Sequence, residues 1–279
     1  AAGLLIVIAV GMSHWGSVDL FEVPPEKADS SLMFLVMLGS VLTFFAFIGF
    51  EDTINVAEEV KNPQTTIPVA LVLATAAAAI LYISVAITAV SVVPWRELAA
   101  APAPLAEVMK RASPDFPPLI MTFITLFAVA NTALVNYVTA SRLLYGMSRQ
   151  GLLPDRLGEI HAGRQTPHIA IAALFLILVP LALMGSIKDL ASATVLLLLF
   201  VFAVVNGALV ILKRREGEID GRFEVPLAVP VLGAIVCAIL VLFRVATGDL
   251  KAPAIAGALL AGILLIYAIL KPKPLQQFE

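Results

Sequence analysis

Cys237 is the only cysteine in the chain, so no internal disulfide can form and cysteine usage says nothing about redox compartment. Histidine is nearly as scarce. His14, His161 and His168 are scattered in polar stretches that read as loops, with no Cys/His grouping that suggests a metal. H-E-x-x-H and G-x-S-x-G are both missing, and no His/Asp set is clustered, so an enzyme is not expected. A channel is disfavoured because no repeated carbonyl-filter motif or ring of charges is visible. Charge itself is thin: 14% of residues are Asp, Glu, Lys or Arg, and the net charge of −2 points to no polyanionic partner. No nucleic acid, cofactor or metal is expected.

What the chain has in quantity is apolar residues, 60% of 279. Runs of about 18 or more argue for membrane-spanning helices. Hydrophobic segments lie at 31–50, 67–93, 117–141, 168–187, 190–212, 226–246 and 252–270, after a shorter run at 1–12. At about 1.5 Å per residue each of the longer ones suits a hydrocarbon core about 30 Å thick. The expectation is an all-α, multi-pass integral membrane protein, a single transmembrane domain over 1–279 with about seven full spans and a partial one. AAGLLIVIAVGM lacks a basic leader, so it does not read as a signal peptide. It reads as the end of a helix whose beginning lies upstream. Between 94 and 116 the chain is too polar to span, and ELAAAPAPLAEVMKR is expected to form a short amphipathic surface helix.

Basic residues in alternate loops set the orientation. One set, Lys61, Arg142 to Arg164, the 213–222 loop and the C-terminal lysines, holds 11; the other holds 7. The richer side is expected to be cytoplasmic, C-terminus included, in a cell's inner or plasma membrane. The KRR run at 213–215 then serves as a topology anchor.

The stretch FFAFIGFEDTINVAEEVKNPQTTIP, Phe44 to Pro68, admits two readings. In one, Ser31 to Phe50 is a complete span and Glu51 and Asp52 meet water. In the other, a helix over 31–61 breaks inside the membrane. Glu51, Asn55, Glu58 and Glu59 recur at i, i+4, i+7 and i+8, and the helix stops at Asn62-Pro63 because the residue before proline leaves the helical region. An unbroken helix of that length would be about 46 Å long, too long for the hydrocarbon unless tilted. Gly49 is the cheapest place for a break. Broken helices at membrane depth are tolerated where they line a cavity, as in secondary transporters. An ionisable residue within a span is a functional candidate, and a carboxylate in a low-dielectric cavity holds its proton more tightly. The other account of Glu51 is an acid at the N-terminus of the following helix.

On the next long polar-marked span, Thr125, Thr132, Asn136 and Thr139 fall on one helix face, with Asn131 beside them. Hydrogen bonding between helices accounts for such a stripe as readily as ligand binding does. Thr194 and Asn206 are weaker candidates of the same kind.

FAFIGFE followed by AEEVKNPQTTIP resembles the sixth transmembrane segment of the amino acid–polyamine–organocation superfamily. ASRLLYGMSRQGLLPDRLGEIH, Ala140 to His161, resembles the cytoplasmic end of its eighth segment and the short helix after it, and TPHIA, Thr166 to Ala170, the start of its ninth. The resemblance covers essentially the whole chain. It implies the leucine-transporter fold of two inverted five-helix repeats, with this chain holding segments six to twelve and the tail of five. It also implies roles. Phe45 becomes a lid over substrate, and the backbone of Ala46, Phe47 and Ile48, near the break at Gly49, supplies carbonyls for a substrate ammonium. Glu51 takes an acidic position linked to proton or substrate coupling. Asn136 lies at the substrate pocket, and Thr132, with Asn131 beside it, lies near where sodium-coupled relatives hold their ion. A hydroxyl pair for sodium is not evident, which leans the expectation to protons. The implied function is secondary active transport of amino acids or related amines, proton-coupled or by exchange. A partner-dependent membrane subunit or an amino acid sensor is the alternative. Oligomeric state is unreadable.

Overall fold

Proline and serine set where the helices begin. The computed structural model describes residues 2–23, 25–27, 29–50, 60–184, 186–215, 224–247 and 250–270, and within these the regular structure is helical throughout. Helix α1 covers Ala2–Gly11. Helix α2, Leu32–Phe45, starts at Ser31, whose hydroxyl oxygen accepts from the Phe34 N–H at 3.2 Å. Helix α3, Pro63–Val92, has proline in its first turn, where the missing N–H costs nothing, after a left-handed Asn62. Two short helices follow, α4 at Trp95–Ala100 and α5 at Pro104–Ala112. The single surface helix expected there is thus two helices, because Pro102 and Pro104 both lie in the middle of it and neither has an N–H to give. Glu107 stands in the first turn of α5 and Lys110 and Arg111 in its last, which suits the helix dipole.

Helix α6, Pro118–Arg149, runs eight residues past the apolar segment that marks it, through the SRLLYGMSR stretch, which remains helix-forming although it is no longer apolar. Helix α7 is His168–Met184, so that His168 opens a helix. Helix α8, Ile187–Lys213, is capped by Ser186, which accepts from the Asp189 N–H at 3.1 Å. Helices α9, Ala228–Thr247, and α10, Lys251–Leu270, complete the described chain.

Among the described residues, α3, α6, α8, α9 and α10 are long and apolar enough to cross a membrane, and at most 17% of each apolar window is buried. Apolar surface on that scale is what lipid covers. Helices α2 and α7 are apolar but shorter, 14 and 17 residues.

The chain divides into two compact units. In the first, residues 1–29 and 53–135, the core joins Val7 of α1, Val92 and Val93 at the end of α3, Val108 and Met109 of α5 and Met121 of α6. The polar segment after α1 is fastened to α3: the Trp15 indole N–H donates to Thr88 Oγ1 at 2.9 Å, and the Ser17 hydroxyl donates to the Ser91 carbonyl at 2.9 Å. Gly11 lies so close to Thr88 that a Cβ there would fall inside contact distance of Thr88 Cγ2. In the second unit, residues 30–52 and 136–279, Val41 of α2 meets Val195 and Leu199 of α8 and Cys237 and Leu240 of α9. A second cluster there joins Ala193 and Leu196 to Ala252 and Ala256 of α10. Small residues at that contact let helices approach closely, which drives packing in lipid.

Candidate functional site

The end of α2 is built by a change of hydrogen-bond pattern. The N–H groups of Ala46, Phe47 and Ile48 donate three residues back, to the carbonyls of Thr43, Phe44 and Phe45, at 3.0, 3.0 and 3.3 Å. This tighter winding closes the helix, and Gly49 follows at φ +117°, a backbone conformation that side chains rarely adopt. The α-helix therefore ends at Phe45, four residues before Gly49, and after 14 residues it is only about 21 Å long. Glu51 and the acidic stripe to Glu59 lie outside the described residues.

Packing gives the side chains of this segment different surroundings. Phe44 and Ile48 join the cluster around Val41, Val195 and Leu199. The Phe44 ring meets Phe202 edge-on at 6.2 Å between centroids, and Phe50 lies 5.6 Å from the same ring. Phe45 is 44% exposed. A helix C-terminus carries partial negative charge on its carbonyls, and each carbonyl retains a second lone pair after one bond. The segment can therefore present acceptors to a cation beside an aromatic ring that is half exposed.

Of the other expected site residues, Asn136 belongs to the same unit as Phe45, Ala46, Phe47, Ile48 and Gly49, and its side chain is exposed on α6. Asn131 and Thr132 belong to the other unit. The Thr132 hydroxyl donates to the Ala128 carbonyl at 2.9 Å, which leaves its oxygen lone pairs outward. Thr194 donates to Leu190 O at 2.9 Å in the same manner. Asn206 has a packing role: its amide donates to Phe202 O at 2.8 Å, and its side-chain oxygen would lie 2.9 Å from a Cβ at Gly233 of α9. His161 accepts the N–H groups of Gly163 and Arg164 on Nδ1, and its ring meets that of His168, the first residue of α7, edge-on at 5.6 Å. Lys213 reaches Glu224 at 3.7 Å. Among the described residues no group of three or more metal-ligating side chains occurs.

A family model described as amino acid permease matches residues 2–269. The chain belongs to the amino acid permease family. It is accordingly a multi-pass integral membrane protein of a family of transporters. Among its relatives, the branched-chain amino acid permease BcaP of Bacillus subtilis is 28% identical over 74% of this chain and 45% of its own length. The methylthioribose transporter of the same organism is 29% identical over 72% of this chain and 44% of its own. The chloroplastic cationic amino acid transporter 9 of Arabidopsis thaliana is 33% identical over 45% of this chain and 22% of its own. The chain spans about half the length of the first two permeases.

Proposed function

We propose that this permease chain is part of a secondary active amino acid transporter of leucine-transporter-like fold, and that the end of α2 forms half of its substrate site. The observation that carries the reading is the early close of α2 at Phe45 with Gly49 at positive φ, in a chain of the permease family. A helix of about 21 Å stops short of a hydrocarbon core of about 30 Å, and backbone that leaves the helix at that depth must find partners in a cavity. In this reading the carbonyls at the helix end take the substrate ammonium, Phe45 covers it, and Asn136 contributes from α6. Glu51 takes up and releases the coupling proton, Asn131 and Thr132 are assigned to ion coupling by the family resemblance, and sodium is the less favoured ion.

The relatives are named for branched-chain amino acids, cationic amino acids and methylthioribose, so an amino acid or amine is the favoured substrate class. The excess of Lys and Arg in one set of loops, 11 against 7, supports a cytoplasmic C-terminus in an inner or plasma membrane. Uptake of labelled amino acids by the complete protein in proteoliposomes tests the reading. Saturable flux, inhibited by unlabelled substrate, is expected. Binding without flux would point to a sensor instead.

A further inference from the structure

We propose that His161 is a pH-operated clasp: its neutral ring closes the loop that leads into α7, and protonation of the ring opens that loop. The imidazole Nδ1 accepts the Gly163 N–H at 3.2 Å and the Arg164 N–H at 3.3 Å. A nitrogen that accepts N–H groups carries no hydrogen of its own, so the closed loop requires the neutral ring with its hydrogen on Nε2. A protonated imidazole bears a hydrogen on each nitrogen. At Nδ1 that hydrogen would face two backbone donors, and both bonds would be lost together.

The rest of the loop is built around this contact. The His161 N–H donates to the Thr166 carbonyl at 2.9 Å, and the Gln165 N–H donates back to the His161 carbonyl at 2.8 Å. Gln165 is held at φ +51°, in the left-handed region that residues with a side chain enter at a cost. Its side-chain Nε2 donates to the Ala162 carbonyl at 2.8 Å. Opening relieves the backbone at Gln165, so loss of the clasp tilts the loop towards release.

The surroundings leave the ring open to protons. His161 is exposed, and the aqueous phase that bathes the loop reaches it directly. The ring of His168 faces it edge-on from the start of α7. Arg164 belongs to the loop itself. The short helix Asp155–Gly158, which packs against α7, brings Asp155 and Arg156, with Glu159 next in sequence and Arg149 of α6 beside Gly158. Among the described residues no carboxylate comes within 4.0 Å of either imidazole, so no acid pairs with the added proton. Histidine is the side chain whose ordinary charge change falls between about pH 5 and 8, so the clasp reads the pH of one aqueous compartment.

The device goes beyond the transport reading and does not depend on it. Hydrogen–deuterium exchange of the complete protein tests it, with millisecond labelling, read on peptides covering residues 161–166 and corrected for the intrinsic rate at each pH. Protection at about pH 7.5 is expected to fall at least about threefold at about pH 5. His161→Asn sets a side-chain oxygen where Nδ1 stands, bonds the same N–H groups as an Asx turn does, and does not titrate. It should stay protected at both pH values. His161→Ala, which lacks the acceptor, should be unprotected at both, and His168→Gln should keep the pH response. Equal protection of the unmodified protein at both pH values would overturn the proposal, as would full protection in His161→Ala. A response that survives in His161→Asn would place the effect of acid elsewhere, and one abolished by His168→Gln would make His168 the titrating group; either overturns it.

Discussion

Phe44 and Phe45 are adjacent in sequence and opposite in surroundings: the first packs edge-on against Phe202 at 6.2 Å, and the second is 44% exposed. The pair separates stability from binding. Phe44→Ala removes a ring from the cluster around Val41 and should cost about 2–4 kcal/mol, visible as a lower melting temperature in detergent. Phe45→Ala should leave the stability within about 0.5 kcal/mol of that of the unmodified protein, since little packing is lost. Equal destabilisation by both would remove the distinction between anchor and lid.

Gly49→Ala tests the break itself. At φ +117° an L-residue is strained, with a cost of about 1–3 kcal/mol, although nothing lies within 4 Å of an added Cβ. The effect is conformational, so the loss should be as large for alanine as for serine. A fully tolerated alanine, in both thermal stability and uptake, would mean that the backbone there has no need of glycine.

Gly233 and Asn206 test the α8–α9 contact. Gly233→Ala drives a methyl to 2.9 Å from the Asn206 side-chain oxygen and should destabilise by about 1–3 kcal/mol. Adding Asn206→Ala should recover much of that loss, a coupling that a double-mutant cycle measures directly. Additive losses would show that the two residues do not press on each other.

How much of this was legible in the sequence depends on the kind of signal. Ser31 marked a helix start in the sequence as in the structure, but the apolar segments placed the start of α3 at 67 and of α8 at 190 and ran one helix across Pro104, because hydropathy does not register the local cap and proline chemistry at Pro63, Ser186 and Pro104. Helix ends were less visible. Hydropathy carries α2 on to Phe50, whereas its winding changes at Ala46, and hydropathy drops at 141 while α6 continues to Arg149. The stripe of Thr132 and Asn136 was evident from spacing, but that the Thr132 hydroxyl turns back on Ala128 is a rotamer choice no pattern reveals. The Trp15–Thr88 bond joins residues 73 apart, and Gly11 of α1 lies against Thr88 of α3. Neither has a sequence period to betray it.

Topology can be checked with single cysteines in a Cys237→Ser background. Lys110→Cys, on the side with fewer basic residues, should react with an impermeant reagent in intact cells, and Arg215→Cys only after permeabilisation. The reverse pattern would invert the proposed orientation.

The central claim is that the end of α2 holds substrate, and the KM for labelled amino acid uptake by Phe45 variants of the complete protein tests it most directly. The account predicts a KM raised about tenfold or more in Phe45→Ala, a loss of about 1.4 kcal/mol, and a near-normal KM in Phe45→Trp, which restores an aromatic cover. An unchanged KM in Phe45→Ala, with Phe45→Trp no different, would contradict it.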